Sequence, residues 1–185
     1  MLASSDNVRP HSFITSLRHR PEKHGDREGQ PNNWAKMNQA VSNLRHRIFR
    51  ATQEAHQAEM EGLSKKEVNK LRKKVRSLQR LMLRSRANVV LSVRRVTQIN
   101  AGKNTPGVDK VLVKTPAARN ELVNELQAFT LWKAKPVKRV YIPKANGKLR
   151  ALGIPTIKDR AMQNVVRNAL EPQWEWLFEG CSYGF

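Results

Sequence analysis

The sequence predicts an α+β fold, in which a long antiparallel helical hairpin precedes a β-hairpin and further helices. Three observations predict it. Apolar residues recur every three or four positions over residues 34–55 and again over 68–82, as in amphipathic helices. The β-branched and aromatic segment Val137–Ile142 is followed by Asn146-Gly147, the strongest two-residue hairpin signal. The 185 residues can form one domain or two small ones.

The first two helices are predicted from their apolar stripes and from a capping signal between them. Gly62 ends the first helix, and Ser64 with Glu67 forms a capping box that opens the second. Because each stripe needs burial, we expect the two helices to pack antiparallel, with the basic side chains of the second facing outward. The stripes comprise Trp34, Met37, Val41, Leu44, Ile48, Ala51 and Ala55, then Val68, Leu71, Val75, Leu78 and Met82.

A loop and a short helix are predicted next. Gly102, Pro106 and Gly107 indicate that residues 96–109 form a loop. Thr115 followed by Pro116 is typical of an N-cap and the first residue of a helix. The short helix that they predict leads towards the β-hairpin.

The last helix is predicted to begin at Thr156, with Asp159 three residues further on as a capping partner. Pro172 is expected to kink or end this helix, because proline lacks the backbone N–H. The residues that follow include a large apolar cluster. We expect it to anchor the core rather than to stack on nucleobases. Its members are Trp174, Trp176, Leu177 and Phe178.

The charge of the chain indicates a polyanionic partner. Lys and Arg number 35 against 15 Asp and Glu, which gives a net charge of +20. Residues 63–100 contain twelve basic residues and the single acid Glu67, so they supply +11 of this charge. Such a charge repels itself unless a polyanion neutralises it, and counterion release then drives binding. We therefore expect nucleic acid on the second helix. The alternative is a merely solvated basic face.

Other function classes find less support in the sequence. A membrane surface would also attract this charge, but no uninterrupted apolar run reaches about 18 residues. Residues 1–33 mix charges without apolar periodicity, which predicts a flexible tail. The N-terminus has no apolar signal segment, and Cys181 is the single cysteine. A cytoplasmic, reducing setting is expected.

The spacing of reactive side chains predicts neither a catalytic nor a metal-binding site. The acids form no pair of carboxylates on a strand, which two-metal phosphoryl chemistry requires. The five histidines lack the spacing of metal ligands, and the glycines match no phosphate-binding fingerprint. Asp109 is expected to orient its turn. At the hairpin tip, Lys144, Lys148 and Arg150 suit a phosphate group, although a solvated hairpin end would look the same.

Four segments, residues 34–98, 100–109, 139–160 and 170–185, occur in an order that resembles the N-terminal part of group II intron reverse transcriptases, also called maturases. The first segment is similar to the N-terminal extension of bacterial members. The second, Asn100-Ala-Gly-Lys-Asn-Thr-Pro-Gly-Val-Asp109, is similar to the motif 0 loop. The third is similar to motif 1, and the fourth to the opening of motif 2.

The resemblance implies the fingers portion of a right-hand polymerase, a β-hairpin plus helices, truncated before the palm active site. It implies RNA-directed DNA synthesis on an RNA template with a DNA primer, and binding of group II intron RNA that assists splicing and retromobility. Mg²⁺ would serve the full-length enzyme through aspartates of later motifs, with no ligand in this chain. The remaining palm and thumb are then expected, and this chain alone is expected to be inactive. The alternative is a non-catalytic RNA-binding or splicing-assisting protein.

The resemblance also implies boundaries and site residues. Residues 1–33 would be a flexible tail, 34–109 a basic helical extension with the motif 0 loop, and 110–185 partial fingers. Lys144 and Arg150 match residues that contact the triphosphate of the incoming nucleotide. The residues expected to contact RNA are Arg72, Lys73, Arg76, Arg80, Arg84, Arg86, Arg94, Arg95, Lys103, Asn104, Thr105 and Lys148.

The length of the hairpin loop decides whether the two nucleotide contacts lie together. With Asn146-Gly147 alone as the turn, Lys144 would pair with Leu149 and Arg150 would face the other side. A three- or five-residue loop centred on Gly147 would align Lys144 with Arg150. We predict a loop of three or five residues rather than the two-residue turn.

Overall fold

Five α-helices and one β-hairpin form the part of the chain that the computed structural model describes, residues 34–128 and 133–178. The predicted tail 1–33, Cys181 and the last seven residues of the motif 2 segment lie outside the described residues. The helices are α1 (Trp34–Met60), α2 (Lys65–Arg84), α3 (Arg86–Arg94), α4 (Pro116–Gln127) and α5 (Ile157–Leu177), and the strands are β1 (Lys138–Pro143) and β2 (Leu149–Ile154). The predicted α+β class is confirmed.

Helices α1 and α2 form the predicted hairpin. The capping box at the start of α2 is complete, because the Ser64 side chain accepts from the Glu67 N–H and the Glu67 carboxylate accepts from the Ser64 N–H. Both predicted stripes are buried over most of their length, and Ile48 and Met82 are fully buried. Their core cluster also contains Ala169 of α5. The helical hairpin therefore packs on the last helix as well as on itself.

A second core holds α3, α4 and α5 together. Its buried members are aliphatic, and each of its Val, Leu and Ile side chains stabilises the fold by about 1.5–3 kcal/mol when it is fully buried. Thr115 caps α4 through the Ala118 N–H, and Pro116 occupies the first helical position, as predicted. The cluster comprises Val89, Val93, Val96, Leu122, Val123, Leu126, Ile157, Ala161 and Val165.

The long basic segment is divided at Ser85, which the sequence reading did not predict. Ser85 has an extended backbone, ends α2 and caps α3 by accepting from the Asn88 N–H at 3.4 Å. Asn88 is fully buried, and its Nδ2 donates to the Met82 carbonyl at 3.0 Å and to the Val165 carbonyl at 3.1 Å. The Asn88 side chain therefore hydrogen-bonds a backbone carbonyl beside the break and also one of α5.

A π turn (Arg95–Ile99) and a 3₁₀ turn (Ala101–Asn104) follow α3. The prediction that residues 96–109 form a loop is therefore wrong for residues 96–99 and 101–104. The π turn continues α3, and the Thr97 hydroxyl donates back to the Val93 carbonyl at 2.8 Å. Asn100 caps the 3₁₀ turn by accepting from the Gly102 N–H. The segment is loop from Thr105 onward.

The β-hairpin has a three-residue loop, as predicted, but the loop is centred on Asn146 and not on Gly147. Strand pairing aligns Ile142 with Arg150, and the Lys144 N–H donates to the Lys148 carbonyl at 2.8 Å. Gly147 has φ +75°, a left-handed conformation that glycine adopts without strain. The Gly147 N–H donates to the Lys144 carbonyl and closes the turn. A turn that ends in a left-handed glycine in this way is a common three-residue hairpin loop. Lys148, not Arg150, therefore lies directly opposite Lys144.

Helix α5 begins as predicted, and of the two alternatives for Pro172, a kink or an end, the structure excludes the end. The Thr156 side chain accepts from the Asp159 N–H at 3.1 Å and donates to the Asp159 carboxylate at 2.7 Å. The helix passes through Pro172 and continues to Leu177, so Pro172 does not end it. Proline at this position leaves one carbonyl of the preceding turn without its usual N–H partner, a local cost that the packing of buried Pro172 offsets.

The apolar cluster at the end of α5 is not the core anchor that we predicted. Trp176 packs edge-on against Phe49 of α1, with ring centroids 5.4 Å apart. Trp174 and Phe178 stack on each other and remain 50% and 58% exposed. Successive residues of a helix point in different directions, so only part of a contiguous aromatic run can face α1.

Candidate nucleic-acid interface

The outward face of α2 carries a line of basic side chains with one interruption. Lys66, Lys70, Lys73, Arg80 and Arg84, here called the α2 ridge, follow the helical three-four spacing with Ser77 filling the gap. All five side chains are exposed, and the line lies opposite the buried stripe of the same helix. At 1.5 Å per residue the ridge is about 27 Å long. It can therefore contact several successive phosphates of a nucleic acid.

Two of the basic residues of α2 lie beside the ridge and pair with acids of α1. Arg72 contacts the Glu59 carboxylate at 2.7 Å, and Lys74 contacts that of Glu54 at 2.7 Å. These pairs tie α2 to α1 at the surface, where each contributes only about 0–1 kcal/mol. Arg72, predicted to contact RNA, therefore already has an anionic partner within the chain.

Arg76 borders a groove between α2 and α5 and does not lie on the ridge. The groove has a volume of about 180 Å³ and a largely apolar floor. Its walls comprise Arg76, Gln79, Arg80, Leu83, Val166, Ala169 and Leu170. Among the predicted residues of α2, the structure thus places Lys73, Arg80 and Arg84 on one line. Lys66 and Lys70 join that line, and the spacing from Lys73 could have found them.

The basic residues of α3 are partly engaged in structural contacts. Arg86 Nη1 donates to the Gln127 side chain of α4 at 2.8 Å. Arg94 lies over the Trp34 ring, with its guanidinium carbon 4.2 Å from the ring centroid, a cation–π contact. Arg95 is exposed. Arg86 and Arg94 therefore link α3 to its neighbours in addition to any contact with RNA.

The loop of residues 100–109 exposes two of its three predicted contact residues. Lys103 and Asn104 are exposed, whereas Thr105 is half-buried. Lys103 Nζ donates to the Gln98 carbonyl at 3.2 Å, so its side chain folds back over the preceding turn. Asp109 accepts from the Val111 N–H at 3.3 Å, which confirms that it orients its own turn.

The tip of the β-hairpin gathers three exposed cations on one face. Lys144 and Lys148 lie opposite each other, and Arg150 follows two residues later on the same strand as Lys148. Alternate residues of a strand share a face, so Lys144, Lys148 and Arg150 point to the same side. Most residues of the two strands are exposed. Like charges grouped in this way favour an anionic ligand.

The acidic side chains near these surfaces have structural partners. Burial alone would raise the pKa of Glu171, but hydrogen bonds and charges from Arg45 and Arg167 outweigh it and hold the pKa below its usual value. Glu125 pairs with Lys158, and Asp159 caps α5. Over residues 34–128 and 133–178, no group of three or more His, Cys, Asp or Glu is placed to hold a metal ion.

None of the helices in the described part of the chain is both long and apolar enough to cross a bilayer.

Comparison with known proteins identifies the same region. The family model described as the N-terminal domain of reverse transcriptase matches residues 63–126, which contain all of α2, α3 and the loop. YkfC of Escherichia coli (strain K12) is 45% identical over 97 residues, 49% of this chain and 25% of that protein.

Two further relatives carry names that describe their role. Maturase-like protein 1 of Euglena gracilis is 31% identical over 115 residues, 62% of this chain and 25% of that protein. The group II intron-encoded protein LtrA of Lactococcus lactis subsp. cremoris is 37% identical over 89 residues, 46% of this chain and 15% of LtrA. The matches thus span a quarter or less of each relative's length. Together, these matches show that the chain carries an N-terminal reverse transcriptase/maturase region.

Proposed function

We propose that this chain is the N-terminal, RNA-binding and fingers part of a group II intron reverse transcriptase/maturase, which acts in the cytoplasm on intron RNA and assists splicing and retromobility. The observation that carries the proposal is the α2 ridge, five exposed cations in one line. Mixed signs are usual on solvated helix faces, whereas a single sign over about 27 Å suits a polyanion. The ridge lies within the segment matched by the reverse transcriptase model.

Different regions of the chain have different proposed functions. Residues 34–109 provide the basic extension and the motif 0 loop, and residues 110–185 provide part of the fingers, after a tail of residues 1–33. The ridge contacts intron RNA through phosphates, which position a nucleic acid and carry little sequence information. The loop contacts the template backbone through exposed Lys103 and Asn104, beside a primer held by the remainder of the polymerase.

Photo-crosslinking tests the proposed RNA contact without removing any charge. A photoreactive amino acid is placed at Ser77, which lies in the line of the ridge, or at His56, an exposed position on α1. We expect RNA crosslinks from position 77 and few from position 56, because RNA follows the ridge along α2. Equal yields at both positions, or none at 77, would contradict the proposal.

We also propose that the hairpin tip holds the triphosphate of an incoming nucleotide through Lys144 and Arg150. The shared face and exposure of the two cations support this role, since a point charge and a planar fork both suit phosphate oxygens. Lys148, on the same face, is proposed to contact RNA.

Binding of a fluorescent nucleoside triphosphate to the full chain tests whether the hairpin tip holds a triphosphate. Lys144→Ala and Arg150→Ala are each expected to weaken binding by about tenfold, a typical loss for one charge-assisted contact. Arg139→Ala is the matched control, because Arg139 is exposed on the opposite face of β1 and should change binding less than twofold. If Arg139→Ala weakens binding as much as the other two, the tip acts only through its net charge.

A second candidate function is an RNA-binding, splicing-assisting role without DNA synthesis by this chain. Four of the acidic residues in the described part of the chain favour it, since Glu54, Glu59, Glu125 and Glu171 form ion pairs. Acids engaged in this way are unsuited to hold catalytic metals, which need paired carboxylates.

A further inference from the structure

The loop of residues 100–109 is anchored to the first turn of α5 by one arginine. Arg160 Nη1 donates to the Gly102 carbonyl at 2.9 Å, and its Nη2 donates to the Thr105 carbonyl. These carbonyls lie on either side of Lys103-Asn104. A guanidinium presents its donors in a fixed planar fork, so two such bonds set both the position and the orientation of the 3₁₀ turn.

The backbone of the loop also rests directly on the start of α5. Gly107 lies so close to this start that an added Cβ would be 2.7 Å from the Thr156 Cα and 2.8 Å from its N. A side chain at position 107 would therefore displace the loop. The support is rigid, because Thr156 and Asp159 are buried and bonded to each other.

The partial burial of Arg160 and the nearby charge of Asp109 indicate that its guanidinium serves contacts within the protein. Burial lowers the pKa of Arg160, and the negative charge of Asp109 partly offsets this effect. Asp109 belongs to the same loop and orients its next turn. Arg160 thus binds the loop at Gly102 and Thr105, while Lys103 and Asn104 remain exposed.

We propose that Arg160 is a positioning residue, which holds the loop of residues 100–109 in one conformation so that Lys103 and Asn104 are presented to RNA. The RNA part of this proposal rests on the proposed function above. The same turn of α5 follows β2 after two residues, so Arg160 also fixes the loop relative to the base of the hairpin. Pre-ordering of the loop lowers the entropic cost of binding RNA.

The test uses the full chain with Arg160→Ala, and Arg167→Ala as the matched control on the same helix. Amide hydrogen exchange of residues 101–105 is expected to become at least about tenfold faster in Arg160→Ala, while residues 161–171 of α5 stay protected. Affinity for a structured RNA is expected to fall on the order of fivefold. Arg167→Ala should alter neither the loop exchange nor, by more than twofold, the affinity.

A double-mutant cycle separates positioning from direct contact. Asn104→Ala is expected to weaken RNA binding about threefold in the wild-type background and by less than 1.5-fold in Arg160→Ala, because a released loop no longer presents Asn104. Additive losses, or unchanged exchange of the loop in Arg160→Ala, would overturn the proposal.

A second variant keeps the proposal testable if Arg160→Ala does not fold. Gly107→Ala retains Arg160 but forces the loop away from Thr156, so the same faster loop exchange and the same non-additivity with Asn104→Ala are expected. Wild-type exchange and affinity in Gly107→Ala would overturn the proposal. If the wild-type chain binds no RNA, the proposed function fails, and the exchange measurement still decides whether Arg160 orders the loop.

Discussion

Replacement of Asn88 by alanine is expected to destabilise the fold by about 3–5 kcal/mol, because four hydrogen bonds of its buried side chain are lost at once. Asn88 Nδ2 serves two carbonyls, those of Met82 and Val165. Its Oδ1 accepts from Asn168 Nδ2 at 2.7 Å and from the Ser92 hydroxyl at 3.4 Å. The network continues to Asn164, which donates to Ser92 at 2.9 Å. Each of these four hydrogen bonds of Asn88 contributes about 0.5–1.5 kcal/mol.

Urea unfolding followed by circular dichroism measures this effect. Asn43→Ala on the exposed face of α1 is the matched control and should change the free energy of unfolding by less than about 0.5 kcal/mol. The slope of the transition should stay unchanged if both variants unfold in one cooperative step. A loss below about 1 kcal/mol for Asn88→Ala would show that α3 and α5 are held together by their apolar core alone.

Removal of the α2 ridge is expected to produce the largest loss of RNA affinity. In the variant with Gln at Lys66, Lys70, Lys73, Arg80 and Arg84, affinity at low salt should fall on the order of 10³-fold, because each neutralised phosphate releases counterions. Helicity and stability should be retained, since none of the five side chains is buried. Circular dichroism and fluorescence anisotropy measure the two properties.

Two double variants distinguish RNA binding by the α2 ridge from RNA binding by the net charge of the chain. Arg80→Gln with Arg84→Gln removes two charges from the ridge, whereas Arg72→Gln with Lys74→Gln removes two that already pair with Glu59 and Glu54. Both lower the net charge equally. We expect the first to weaken binding at least about tenfold more than the second. Equal losses would mean that RNA responds only to the total charge of the chain.

Elements with local signals were predictable from the sequence, and those that depend on distant partners were not. The capping residues Ser64, Thr115 and Thr156 lie within three positions of the groups that they bond, so the starts of α2, α4 and α5 were predicted correctly. The break at Ser85 was not predicted. The Met82 carbonyl beside this break accepts a hydrogen bond from Asn88, whose second carbonyl partner, Val165, lies 77 residues away.

The same distinction applies to the candidate site. Composition predicted a basic second helix, and its apolar stripe predicted which side faces outward. Composition could not show that Arg72 pairs with Glu59 or that Arg94 stacks on Trp34, because these partners come from α1. It also could not identify Arg160, whose role depends on two backbone carbonyls of a loop more than 50 residues earlier.

The salt dependence of RNA affinity tests the central claim, phosphate binding by the α2 ridge, most directly. The logarithm of the association constant is measured against the logarithm of salt concentration for the wild-type chain and for the five-Gln variant. Five phosphate contacts at about 0.7–0.9 each predict that the wild-type slope is steeper by about 3.5–4.5. Equal slopes for the two proteins would contradict the account and make the ridge a solvated helix face.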